Sequence, residues 1–141
     1  MDAQYEEIKK DEEVLAIIVR ANFSADGYNF FTADTNSQQL AYIHHPKGKV
    51  ILSHVHNRIK REVFYSKETI FIKRGNLRTD FYTKDQEYVC SRILTTGDVV
   101  LLSSGGHGFE VLEEVEMLVV KQGPYVGEHD KTRFERIEHK L

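Results

Sequence analysis

His54 and His56 stand two apart within GKVILSHVHNRIKREVFYSKETIFIKRG, residues 48–75, a stretch that also carries Glu62 and Glu68. On an extended strand Val50, Leu52, His54 and His56 project to one face while Ile51, Ser53 and Val55 project to the other. Alpha carbons two apart on a strand are roughly 6.6 Å apart. Two imidazoles so placed can lean onto one divalent ion at about 2 Å each. The competing reading is a histidine pair on the solvent face of a short strand. Val50 and Leu52 on the same face argue for an inward pair, and a buried imidazole needs a partner that a metal supplies.

Glu68 shares a face with Ile70 and Ile72, opposite Thr69, Phe71 and Lys73, so its carboxylate is expected on the inward side, where it needs a cation or hydrogen bonds. Glu62 has the same parity but adjoins the charged connection NRIKR, residues 57–61, where a solvated glutamate is the ordinary outcome. Glu68 therefore ranks above Glu62 as a metal ligand. His107 follows Ser103, Ser104, Gly105 and Gly106, and alternates onto one face with Phe109 and Val111. It is the third inward histidine, with a hydrogen-bonded core histidine as the alternative.

The elements that must position these groups read as strands. Residues 2–13 are acidic with weak helical spacing. Residues 14–19, VLAIIV, have the brevity and β-branching of a buried strand. Turn-forming residues at 24–27 and 34–37 bracket a strand over 28–32, and another is expected over 38–45. On that strand Gln38, Gln39, Tyr42, His44 and His45 are pocket-lining candidates, Gln39 and His44 foremost; an edge strand facing solvent is the alternative. Gly75 and Asn76 predict a tight turn into a strand over 77–82, followed by strands over 87–94, 99–102 and 115–121. The tail, 128–141, has possible helical character. The pattern is all-β, one domain over 1–141, with a barrel core at 14–125, a polar N-terminal segment at 1–13 and a tail at 126–141.

Length and composition narrow the function. A chain of 141 residues buries roughly 68–70% of its unfolded surface behind a single core. A net charge of −3 leaves no basic excess, so nucleic-acid binding has little electrostatic support and a small molecule is the better partner class. Cys90 is the sole cysteine, so no internal disulfide forms. A polar N-terminus, MDAQYEEIKKDEE, and the shortness of the run at 14–19 lead to the expectation of a cytoplasmic protein without a membrane anchor.

The order of these pieces resembles the cupin superfamily, double-stranded β-helix barrels of the jelly-roll type with a metal in the barrel mouth. The likeness covers roughly residues 38–125. The family's first motif runs Gly, five residues, His-x-His, a short gap, Glu, six residues, Gly; Gly48, His54, His56, Glu68 and Gly75 stand in that order. Eleven residues separate His56 from Glu68 where cupins have three or four, which implies an enlarged hairpin and keeps Glu62 a rival ligand. In the second motif Gly97, Gly105 and His107 match. Ser103 replaces a proline, one residue is missing before His107, and Val111 stands where an asparagine would be. A narrower resemblance is to small cupins of bacterial surface-polysaccharide gene clusters, carried by SGGHGFE at 104–110, KQGPY at 121–125, and Asp130 with Lys131.

The resemblance implies a site of His54, His56, His107 and Glu68 holding Fe, Mn, Ni or Zn, and a sugar or nucleotide sugar as ligand. Three functions follow from it. One is sugar-nucleotide isomerase or epimerase chemistry, proton abstraction beside a carbonyl by a histidine with Tyr42 or Tyr82 as the acid and Phe109 lining the pocket. Another is a metal-dependent oxygenase or isomerase of a small metabolite. The third is a non-catalytic saccharide-binding module. A homodimer is expected as well, since six consecutive apolar residues at 14–19 would be an exposed edge on a lone barrel.

Overall fold

In the computed structural model, which describes residues 4–136, the apolar run at 14–19 lies within a strand buried on both faces. The strands are β1 (Tyr5–Lys10), β2 (Glu13–Val19), β3 (Gly27–Phe30), β4 (Ala41–His44), β5 (Glu68–Tyr82), β6 (Tyr88–Thr95), β7 (Val99–Leu102) and β8 (Gly106–Lys121). A 3-10 turn at Gly127–Asp130 follows. All pairings are antiparallel. One sheet runs β1-β2-β7-β5-β6 with β8 also on β5, and it curls strongly into a half-barrel; β3 and β4 form a separate hairpin. The all-β class expected from the pattern is what forms.

β2 explains its own composition. Ala16 and Ile18 join Val100, Leu102, Ile70, Ile72, Leu77, Phe81 and Leu94 in the main core. Ile17 and Val19 pack with Leu101 on the other face, under Tyr5, Phe23, Phe31 and Leu40. β1 takes one edge of β2 and β7 the other. The run therefore needs no second subunit, which corrects its assignment as dimer material: both faces and both edges are satisfied within the chain.

β5 is the hub. It pairs with β7 over Glu68 to Phe71 and with β6 over Asn76 to Tyr82, and these two share one edge because their registers do not overlap. β8 lies along the other edge for the full length of β5. The tight turn expected at Gly75 and Asn76 does not form. Gly75 instead sits at φ +107° inside continuous β5, where the register against β8 shifts on both sides of it. A Cβ there would stand 2.1 Å from the Glu114 carbonyl oxygen, so only glycine permits this close crossing of the two bent strands. The strand expected to carry His107, Phe109 and Val111 and the one expected over 115–121 are a single continuous strand, β8.

Three more expectations change. The segment 2–13 contains β1 in place of helical spacing, because pairing with β2 satisfies its backbone while Ile8 alone turns into the core. The strand expected over 38–45 shrinks to β4, since Gln39 is drawn into a loop. The tail shows only the 3-10 turn and irregular chain as far as residue 136; its remainder, 137–141, lies outside the described residues.

A buried carboxylate locks the β6–β7 turn. Asp98 is 2% exposed and accepts from Arg20 Nη1 at 2.9 Å, Ala21 N at 2.9 Å and Thr95 N at 2.8 Å. These bonds tie the turn to the end of β2, which fixes the start of β7 at Val99 opposite Phe71 of β5.

Candidate functional site

The register of β5 sets Glu68 opposite Lys121 at one end of β8, and Phe81 opposite His107 near the other. Neighbours across an antiparallel pair point to the same side, so His107, Phe109 and Val111 share a face with Phe81, Thr79 and Leu77. Leu77 and Phe81 belong to the main core with Ile70 and Ile72, which makes this the concave side. The curl then carries Glu68 across to His107: Glu68 Oε2 stands 3.5 Å from His107 Nε2.

Three more groups complete the cluster. Lys121 Nζ lies 3.8 Å from Glu68 Oε1 and 3.3 Å from Asp130 Oδ2, and Ser66 Oγ donates to Asp130 Oδ1 at 2.5 Å. The His107 ring is the main cause holding the Glu68 carboxyl below the usual carboxylate range. Partial burial opposes it, and the charges of Lys121 and Lys131 assist. Asp130 is also held low, first by the Ser66 hydroxyl. Thr69 Oγ1 donates to Gln38 Oε1 at 2.5 Å, and Lys67 Nζ donates to the Ser103 carbonyl at 2.8 Å. The start of β5 is thereby pinned to the loops on either side. The Phe109 ring lies 5.5 Å from that of His107, a partly exposed apolar surface beside the polar cluster.

His54 and His56 are elsewhere in the chain's own fold. Residues 49–64 carry no strand and every one is exposed, against the expectation of an inward strand over 50–56. The two rings remain neighbours, 5.5 Å apart, and His54 Nδ1 bonds the Leu52 carbonyl at 2.8 Å. Among the described residues no group of three or more His, Cys, Asp or Glu side chains is gathered as a metal cluster. Glu68 with His107 and His54 with His56 are thus two separate pairs. Glu62 stays on the exposed segment, 3.9 Å from Lys60.

The remaining candidates separate by face. Tyr82 opposes Gly106, so it points away from the His107 side. Its buried hydroxyl has no hydrogen-bond partner among the described residues, and its ring is edge-on to Tyr88 and Phe134. Tyr42 packs edge-on to Phe23. Gln39 holds the 33–39 loop, with Nε2 donating to the Ala33 and Asn36 carbonyls at 2.9 and 2.8 Å. His44 pairs with Asp26 at 3.2 Å on the surface, and the His45 ring meets Tyr28.

Sequence reasoning missed Lys121, which the strand register sets beside Glu68, and Asp130 of the 3-10 turn, which reaches Lys121 and Ser66. It also missed a buried polar group on the convex side. Asp80 accepts from Arg78 Nε at 2.9 Å and from Ser91 Oγ, while Arg136 Nε stands 3.3 Å away as an ion pair. Arg136 also pairs with Glu110, and Phe134 covers Gly106, so the tail closes over this group. The polarity of Arg78 and Asp80 within a strand was the available signal.

No family model, curated protein or solved structure matches the chain. No helix among the described residues is long and apolar enough to cross a membrane.

Proposed function

We propose that this chain is a metal-binding cupin that binds or acts on a small polar molecule, a sugar or nucleotide sugar of surface-polysaccharide biosynthesis. The single observation that supports it is the approach of Glu68 and His107. These residues are 39 positions apart, belong to the two halves of the motif pair, and meet on the concave face at 3.5 Å.

Glu68 and His107 offer one oxygen and one nitrogen donor, and His54 and His56 offer two more nitrogens, a donor set that suits Fe, Mn, Ni or Zn. A bound ion would supply Lewis-acid polarisation of a carbonyl or hydroxyl oxygen. Around it, Phe109 presents an apolar face for the C–H side of a sugar ring. Lys121 places a cation where an anionic ligand group would sit, and competition from that anion would free Glu68 for the ion. With no metal bound, His107 beside the Glu68 carboxylate is the group able to take a proton beside a carbonyl.

A second reading has its own support. Lys121 already faces the Glu68 carboxylate at 3.8 Å and His107 lies 3.5 Å from it, which favours proton transfer or simple saccharide binding without metal. Elemental analysis of chelator-free protein, combined with calorimetric titration of a nucleotide sugar before and after EDTA, separates the two. The metal-binding proposal expects stoichiometric divalent metal and sugar binding that weakens on chelation. Metal-free protein that binds the nucleotide sugar equally well rejects it. Failure to convert any nucleotide sugar that it binds favours the non-catalytic module.

A further inference from the structure

β8 is a sixteen-residue strand whose second edge carries no strand among the described residues. Toward its end Leu118, Val119 and Val120 are 63%, 50% and 63% exposed, so both faces as well as the edge are uncovered. A long apolar edge of this kind is a template for another strand. The chain also carries a segment of matching character. Residues 49–64 equal β8 in length, carry no helix or strand, and include Leu52 at 81%, Val55 at 85% and Phe64 at 85% exposure. Among the described residues, residues 50–64 make no backbone–backbone hydrogen bond.

We infer that residues 49–64 of one copy add as a strand to the free edge of β8 in a second copy, and that the exchange completes the site. The metal part of this inference rests on the function proposed above; the exchange does not.

Four observations converge on a second copy of this chain. The arm brings apolar side chains on both of its faces to a strand end that lacks cover on both of its faces. Its charge is complementary: Lys49, Arg58, Lys60 and Arg61 against the single Glu62, whereas β8 carries Glu110, Glu113, Glu114 and Glu116 against Lys121. Arg136 and Arg74 already meet Glu110, Glu114 and Glu116 in the chain, so the arm adds to a partly neutralised acidic strand. Each copy owns one arm and one free β8 edge, so a two-fold pair can match each arm to a β8 edge of the other copy. Finally, the site is divided. His107 lies on β8, and neighbouring strands align their faces, so an added arm can set its Val50, Leu52, His54 and His56 face alongside His107, Phe109 and Val111. His54 and His56 of one copy then join Glu68 and His107 of the other.

The test uses the full chain. Light scattering at micromolar concentration should give the mass of two chains, and hydrogen exchange should show the amides of residues 49–64 protected. Leu52→Asp with Val55→Asp should lower the mass to one chain and release that protection, leaving the β2 and β7 amides protected. Cobalt(II), followed by its visible absorbance, reads the shared site. His54→Ala with His56→Ala in one preparation, and His107→Ala in another, should each lose stoichiometric cobalt binding. After the two are mixed and allowed to exchange, about a quarter of the wild-type sites should return, because half the pairs are mixed and each carries one intact site. A monomeric wild type, or a dimer whose 49–64 amides exchange freely, overturns the exchange. A wild type that binds cobalt, with mixtures that never regain it, overturns the shared site. A protected dimer that binds no cobalt leaves the exchange standing and removes the metal.

Discussion

Glu68 Oε2 and His107 Nε2 are 3.5 Å apart although Glu68 opens β5 and His107 pairs with Phe81, thirteen positions further along the same strand. On a straight strand those thirteen steps would separate them by roughly 43 Å. The bend at Gly75 and the register shifts around it close that distance, so the candidate site is a product of strand curvature.

Replacing Glu68 tests the ligand ranking. Glu68→Gln should weaken cobalt(II) affinity by about tenfold or more, since a charged donor is lost, while Glu62→Gln on the exposed segment should change it little. Calorimetric titration of both variants checks this, and the opposite ranking moves the ligand role to Glu62.

Gly105 is the backbone position least tolerant of a side chain near the site. Its φ is +70° and a Cβ would stand 2.3 Å from the Tyr82 carbonyl oxygen. Gly105→Ala should cost about 2–4 kcal/mol in urea unfolding. Gly108→Ala, where nothing lies within 4 Å of the added atom, should cost far less.

Asp98 joins the β6–β7 turn to the end of β2 through three donors. Asp98→Ala leaves Arg20 and two backbone N–H groups without their acceptor and should cost about 3 kcal/mol. Asp98→Asn keeps part of the acceptor geometry and should cost less. Chemical denaturation of the two variants measures the difference; equal losses would contradict the role given to the charge.

Tyr5 gives the fold an alkaline limit. Burial first, and then its 2.7 Å hydrogen bond to Glu7, push its hydroxyl up to about 12. The native state favours the neutral phenol, whereas the unfolded chain ionises near pH 10. Its stabilisation is therefore complete below about pH 10 and is lost as pH rises from there through about 12. Melting curves across that window should fall less steeply for Tyr5→Phe than for the wild type.

What the sequence determined by itself is local. Alternation and turn residues were enough for the all-β class, for β7 and most of β6, and for the inward side of Glu68, because period-two patterning is a property of the strand itself. Glu68 and His107 were legible as a pair of inward groups for that reason. The tertiary structure alone decided that they touch, that Lys121 and Asp130 join them, and that Tyr82 turns to the far side, since cross-strand register and curvature depend on residues far apart in the chain. It also decided that residues 14–19 are core. Both faces and both edges of β2 are occupied by partners that no local pattern names. The alternation around His54 and His56 reads as a strand, yet among the described residues no strand pairs with that segment. A strand exists only where another backbone satisfies its N–H and C=O groups, and that is decided by what stands beside it.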